Sequence, residues 1–265
     1  PPDHVLLKIN WTNITNEWHK TGRMPQYIEP LKTYLKSLDK SIVYIIISQH
    51  DDLIPVDLIE NLPPKTIFFN AGGNARNNNI IPLPLIYEPK IEYKFAPPSE
   101  KEWSQLILAS FIGSDTNPVR TKLDMYLFNN PDFRITIQKW TPILDPIAIS
   151  NFMESILSSR YILAPSGYGP TSFRFYEAFQ HNKIPVYIHD GKGPFLPYND
   201  IIDWRKCCII IDENEIQKLP QILGNITYAQ YIEMLTYYNK FHEQLFTIKG
   251  VASYITDLDR KSTRL

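Results

Sequence analysis

The chain has 265 residues, with 27 Lys and Arg against 28 Asp and Glu, so a net charge of −1 provides no whole-molecule field toward nucleic acid or an anionic membrane. That length suits one large domain or two small ones with a real core, and no apolar run approaches the about 20 residues of a membrane span. Frequent Pro (22), sparse Gly (10) and 13% aromatic content describe a globular chain with stiff loops, and the adjacent Cys207 and Cys208 exclude a disulfide framework.

In chain order, Val5 to Asn10 reads as a strand, and Tyr27 to Leu38 has helical spacing in Ile28, Leu31, Leu35 and Leu38 after Pro25. Ser41 to Ser48 is β-branched and almost wholly apolar, as in a strand covered on both faces, and it ends in Gln49-His50-Asp51-Asp52. Helical density returns at Pro55 to Asn61, Thr66 to Asn70 is a short strand, and Ala71 to Asn79 is a Gly- and Asn-rich loop expected to be flexible. Ile80 to Tyr87, broken by Pro82 and Pro84, is an edge or extended segment. The alternation predicts a small doubly wound α/β unit.

Lys90 to Glu102 is rich in Pro and charge and marks a domain boundary at 98. A second α/β unit over 99–248 follows: strands at Leu106 to Gly113 and Phe133 to Gln138, and helices at Pro118 to Asn129 and Pro146 to Ser158. A buried strand with both thiols spans Cys207 to Ile211, and helices are expected at Glu213 to Leu223, Tyr228 to Ile248 and Val251 to Leu258.

The stretch that organises this half is Leu163 to Ile188. An apolar run breaks at Pro165, crosses a loop holding Ser166, Gly167, Gly169 and Pro170, enters a helix opened by Thr171 and Ser172, and closes on the strand Ile184 to Ile188. A helix that starts at such a loop presents its first N–H groups and the positive end of its dipole there, which suits a phosphate. Arg174 stands in the first turn and Glu177 three residues on. Arg174 either contacts phosphate or braces the loop; Glu177 is either a ribose ligand or a carboxylate paired with Arg174 or Lys183.

The runs SSRYILAPSGYGPTSFRFYEAFQHNKIPVYIHD, FIGSDTNPVRTKL and IIDWRKCCIIIDENEIQKLPQIL together resemble the exostosin family of glycosyltransferases, family 47, over roughly Phe111 to Leu235. The resemblance implies a GT-B fold of two Rossmann-like domains facing a cleft, with the acceptor site in 1–98 and a nucleotide-sugar site in 99–248. A tail over 249–265 is then expected to pack back toward the first domain. It further implies inverting transfer of a sugar, from a UDP-sugar, to a saccharide acceptor in glycan synthesis. The donor-binding residues it implies are Arg120, Ser166, Gly167, Thr171, Ser172, Arg174, Glu177 and His189. Fixed cations and helix N–H groups can carry the charge of a leaving diphosphate, so no metal and no cofactor are expected. The alternative is an inactive glycan- or nucleotide-sugar-binding module of the same fold. The missing initial Met suggests a trimmed start, leaving the location between a Golgi lumen and a cytoplasm.

An acceptor hydroxyl needs a base. Asp51, then His50 and Asp52, are the candidates, because open α/β sheets place ligands at the carboxyl ends of their strands; capping of the next helix is the competing role for the carboxylates. Asp257-Leu258-Asp259 has a metal-site form but falls outside any nucleotide-binding unit, and no Cys or His cluster has zinc spacing.

Overall fold

The computed structural model describes residues 4–23, 26–75, 79–86, 92–141 and 146–262, the side chains of 258–262 excepted. Expectations for Pro25, 76–78, 87–91 and Asp259 therefore lie outside the described residues. By its contacts the chain divides into unit 1, Pro1–Leu85 with Phe195–Tyr198 and Val251–Leu265, and unit 2, Ile86–Pro194 with Asn199–Gly250. Each is mixed α/β with a parallel sheet, the build expected of each half of a GT-B protein.

Unit 1 runs β1 (His4–Leu6), α1 (Trp11–Thr21), α2 (Ile28–Lys36), β2 (Val43–Ser48), α3 (Val56–Ile59), β3 (Ile67–Asn70) and β4 (Ile80–Pro82). The strands lie in the order β1-β2-β3-β4 and all pair in parallel. That order has no reversal, so this sheet is not doubly wound as the alternation suggested. Right-handed crossovers stepping always to the next strand put their connections on one face. The first strand stops at Leu6, well before Asn10, whose side chain caps α1 by accepting the Asn13 N–H. α1 then buries Trp11 and Ile14 against Ile46 of β2, Leu35 of α2 and Phe195. Burying each large apolar side chain in this way is worth about 1.5–3 kcal/mol.

Unit 2 runs α4 (Glu100–Gln105), β5 (Ile107–Ser114), α5 (Pro118–Leu127), β6 (Phe133–Gln138), α6 (Pro146–Leu157), β7 (Ser159–Pro165), α7 (Phe173–Gln180) and β8 (Ile184–His189). It continues with β9 (Ile209–Asp212), α8 (Leu219–Gly224) and α9 (Tyr228–Leu245); α10 (Ile248–Ser262) begins here and is counted with unit 1 from Val251. The sheet order is β6-β5-β7-β8-β9, all parallel. After β6 the chain crosses back over β5 to form β7, so winding reverses between β5 and β7. Such a reversal opens a crevice at the carboxyl ends of those two strands. β7 and β8 are buried along nearly their whole length, as their continuous apolar runs require.

Two local expectations are corrected. Cys207 and Cys208 are buried free thiols, but they precede β9: both N–H groups donate to Trp204 O and close a tight turn. The helix expected from Glu213 begins as a 3-10 segment, Glu213–Lys218, before α8.

Candidate functional site

The two loops at the reversal in unit 2 are tied by α5. Asn117 caps α5, accepting the Val119 N–H at 3.0 Å, while its amide donates to Gly167 O at 2.9 Å. Pro118 opens the helix, where a missing N–H costs nothing. Arg120 follows in the first turn. Its Nε donates to Ser166 O (3.2 Å) and its Nη1 to Ser114 O (2.7 Å), with the guanidinium over the Phe111 ring at 5.4 Å. Burial and then the charge of Arg174 bring its pKa down to about 10, with Asp115 opposing, so it remains a cation at neutral pH. Among the described residues no carboxylate pairs with it. Gly167 is what admits it: a Cβ there would stand 2.7 Å from Nη2.

The β7–α7 loop is held from beneath. Ser166 is buried, its N–H donates to Ile188 O at 2.9 Å, and its hydroxyl faces Pro170 O and Ile188 O. The Tyr187 hydroxyl also donates to Pro170 O, at 2.7 Å. Thr171 and Ser172 are buried; Ser172 is the N-cap of α7 in extended backbone and makes no side-chain cap bond. Beside α5, an open hollow of about 520 Å³ is lined by Asp115, Thr116, Asn117, Pro118, Thr121, Lys122 and Met125.

Arg174 faces back into the unit. Its Nε donates to Ile112 O (2.9 Å), its guanidinium lies 3.9 Å over the Phe152 ring, and its Nη1 bonds the buried Glu177 carboxylate. Of the roles open to these residues, bracing and mutual pairing are what the geometry displays. His189 ends β8 beside Asp212, in register across to β9, with Nδ1 3.5 Å from Oδ2; this is an electrostatic contact too poorly aligned for a hydrogen bond.

In unit 1 the carboxyl end of β2 carries His50, Asp51 and Asp52. Asn70 at the end of β3 pins this loop, donating to Ser48 O (3.0 Å) and His50 O (2.8 Å) while accepting the Gly73 N–H (2.7 Å). Gly72 packs directly on the Asp51 backbone: a Cβ would lie 2.1 Å from Asp51 Cα. Ala71, Gly72 and Gly73 are thus buried packing elements and not the flexible loop expected, because the close backbone approach demands them.

Asp51 makes no side-chain hydrogen bond or ion pair among the described residues. Burial first, then the neighbouring Asp52, raises its pKa to about 6. Asp52 is fully engaged: Oδ1 accepts from Asn74 at 2.8 Å and Oδ2 lies 2.8 Å from His19 Nε2. His50 Nδ1 accepts the Asp52 N–H at 3.0 Å, so its proton sits on Nε2; burial and His19 lower its pKa, against the pull of Asp52. His19 is the residue that sequence reading missed here, since α1 itself went unread.

A family described as "Exostosin GT47 domain" matches residues 58–226. A probable glycosyltransferase of Arabidopsis thaliana is 32% identical over 131 residues, covering 49% of this chain and 24% of that protein. Exostosin-1a of Danio rerio is 36% identical over 76 residues, covering 29% of this chain and 10% of that protein. The chain thus spans only a fraction of the length of the curated relatives it matches. Among solved structures, the one titled "Crystal Structure of TarM" gives a TM-score of 0.41 at 11% identity, covering 85% of this chain and 57% of that one. No helix among the described residues is long and apolar enough to cross a membrane.

Proposed function

The chain belongs to the exostosin GT47 family, and we propose that it moves a sugar from a UDP-sugar to a saccharide hydroxyl, with inversion and without a metal ion. One observation carries the donor assignment: Arg120, half-buried at the strand-order reversal, has no carboxylate partner among the described residues. Buried charges are normally paired, so a cation with no salt-bridge partner at this point favours an anion. The diphosphate is assigned to Arg120 and the first turn of α7 behind Thr171 and Ser172, with Ser166 and Gly167 shaping the loop. Glu177 takes the ribose, Arg174 orients Glu177, and His189 lines the donor sugar.

As the glycosidic bond to the β-phosphate breaks, negative charge grows on the leaving UDP, and a fixed guanidinium with helix N–H groups stabilises it. Asp51 accepts the proton of the attacking hydroxyl. A carboxylate with a pKa of about 6 is a better proton acceptor than an ordinary aspartate yet still ionised at neutral pH. Attack from the face opposite the leaving group inverts the anomeric carbon.

The test is incubation with a panel of UDP-sugars and saccharide acceptors, with NMR of the product's anomeric linkage. Inverted product, lost in Asp51→Asn, is expected. Retained configuration would overturn the mechanism, and UDP-sugar binding without turnover on any acceptor would leave a nucleotide-sugar-binding module.

A further inference from the structure

Thr12, Thr15 and His19 fall at i, i+3 and i+7 on α1 and so share one face. All three reach the loop that carries Asp51. The Gln49 N–H donates to Thr12 Oγ1 at 3.0 Å, Thr15 Oγ1 lies 3.5 Å from Leu53 O, and His19 Nε2 stands 2.8 Å from Asp52 Oδ2. At the His19 end the contacts close into a ring. Asp52 holds His19, the His19 imidazole stacks on His50 (4.7 Å between centroids, 13° between planes), and His50 Nδ1 accepts the Asp52 N–H. This loop is bent sharply enough to put the buried Leu53 at φ 68, a conformation that needs support in a non-glycine residue.

We propose that α1 is the positioning element of the 48–53 loop, and that His19, by holding Asp52, keeps Asp51 in place and ionised. This rests on the reading of Asp51 as the base. His19 touches no reacting atom and is a positioning residue. Asp51 and Asp52 are adjacent carboxylates, and like charges in a half-buried loop oppose each other's ionisation. The His19 Nε2–H, 2.8 Å from Asp52 Oδ2, can donate to that carboxylate and spread its charge. Among the described residues the charged group that acts on Asp51 is Asp52, and His50 from the same loop and His19 from α1 gather on Asp52; the β3 side presents the neutral Asn70, Gly72 and Asn74. His19, His50 and Asp52 also bring ligand-type atoms within 4.8 Å of one another, while His50 Nδ1 and both Asp52 oxygens are engaged by protein groups.

Carbon-13 carboxyl NMR of aspartate-labelled protein, with Asp51 assigned from Asp51→Asn, decides this independently of turnover. The Asp51 midpoint should move upward by a few tenths to about one pH unit in His19→Ala, and less in His19→Gln, which keeps a donor. The acid limb of kcat/KM should move the same way, with kcat reduced, the KM for UDP-sugar unchanged and part of kcat recovered in His19→Gln. An Asp51 midpoint unmoved in folded His19→Gln and His19→Ala overturns the proposal. So does saturable zinc binding that vanishes in His19→Ala, since the cluster would then be a metal site. Full activity in Asp51→Asn sinks the base assignment alone, because the NMR midpoint still reports whether α1 positions the loop.

Discussion

Gly167→Ala isolates the proposed donor seat. The new Cβ would lie 2.7 Å from Arg120 Nη2, well inside ordinary contact, with Thr116 Oγ1 also within 4 Å. The guanidinium must retreat by several tenths of an ångström, yet it is fixed by Ser166 O at 3.2 Å and Ser114 O at 2.7 Å, so at least the longer of these bonds is lost. A hydrogen bond to a charged group is worth about 1.5–3 kcal/mol. Spent on the bound state, that is about a 10- to 100-fold weaker UDP affinity; spent on the fold, it lowers the melting temperature by several degrees. Gly167 needs no left-handed φ, so the contact alone is responsible. Calorimetric UDP titration and thermal melts of Gly167→Ala should show that loss divided between affinity and stability, with Gly224→Ala, which has nothing within 4 Å in a helix, as the control that keeps UDP affinity and melts no earlier. Unchanged UDP affinity and melting temperature in Gly167→Ala would refute the argument that Arg120 is held where it matters.

Asp51→Asn should abolish most transfer, about 10²- to 10⁴-fold, while stabilising the protein at neutral pH. A carboxyl whose pKa is raised to about 6 in the folded state makes stability fall as pH climbs from about 4 through 6. Denaturant melts should therefore find the variant more stable above pH 6, by on the order of 1–3 kcal/mol, and equal to the parent near pH 4. His242 shows the opposite sign: burial holds it down at about 4, with Nδ1 3.1 Å from the Tyr238 hydroxyl, so stability is lost as pH falls from about 6.5 through 4. His242→Gln should flatten that acid limb of the stability curve. Glu177→Ala leaves the half-buried Arg174 without its carboxylate, a loss of about 1–3 kcal/mol. Undiminished UDP affinity in the folded variant would remove Glu177 from the ribose.

Strands and the Pro165 to Ser172 loop were legible because continuous β-branched runs and Gly-Pro punctuation act locally. Strand order was not, since nothing in the residues between 70 and 80 says that unit 1 winds without reversal. α1 escaped because WTNITNEWHKT is poor in strong helix formers; the usable signals were Asn10 at its N-cap and Gly22 at its C-cap with φ 64. α4 escaped although Ser99 and Glu102 form a capping box, because Pro97-Pro98 dominated the reading. At the site, Arg120 was singled out by the family resemblance of FIGSDTNPVRTKL, with Gly113 at the strand end and Pro118 at the helix start beside it. The bracing of Arg174 could not, as its anchor is Ile112 O on another strand, nor could His19, which meets Asp52 only through the packing of α1.

We propose that the reversal in unit 2 binds a nucleoside diphosphate through protein groups alone. Titrating UDP into the protein with and without EDTA, followed by its melting temperature, tests this most directly, because a ligand of the folded state raises that temperature by mass action. A saturable rise, equal in both buffers and lost in Arg120→Gln, is the predicted result. A rise that needs manganese, or none with any nucleotide, would contradict it.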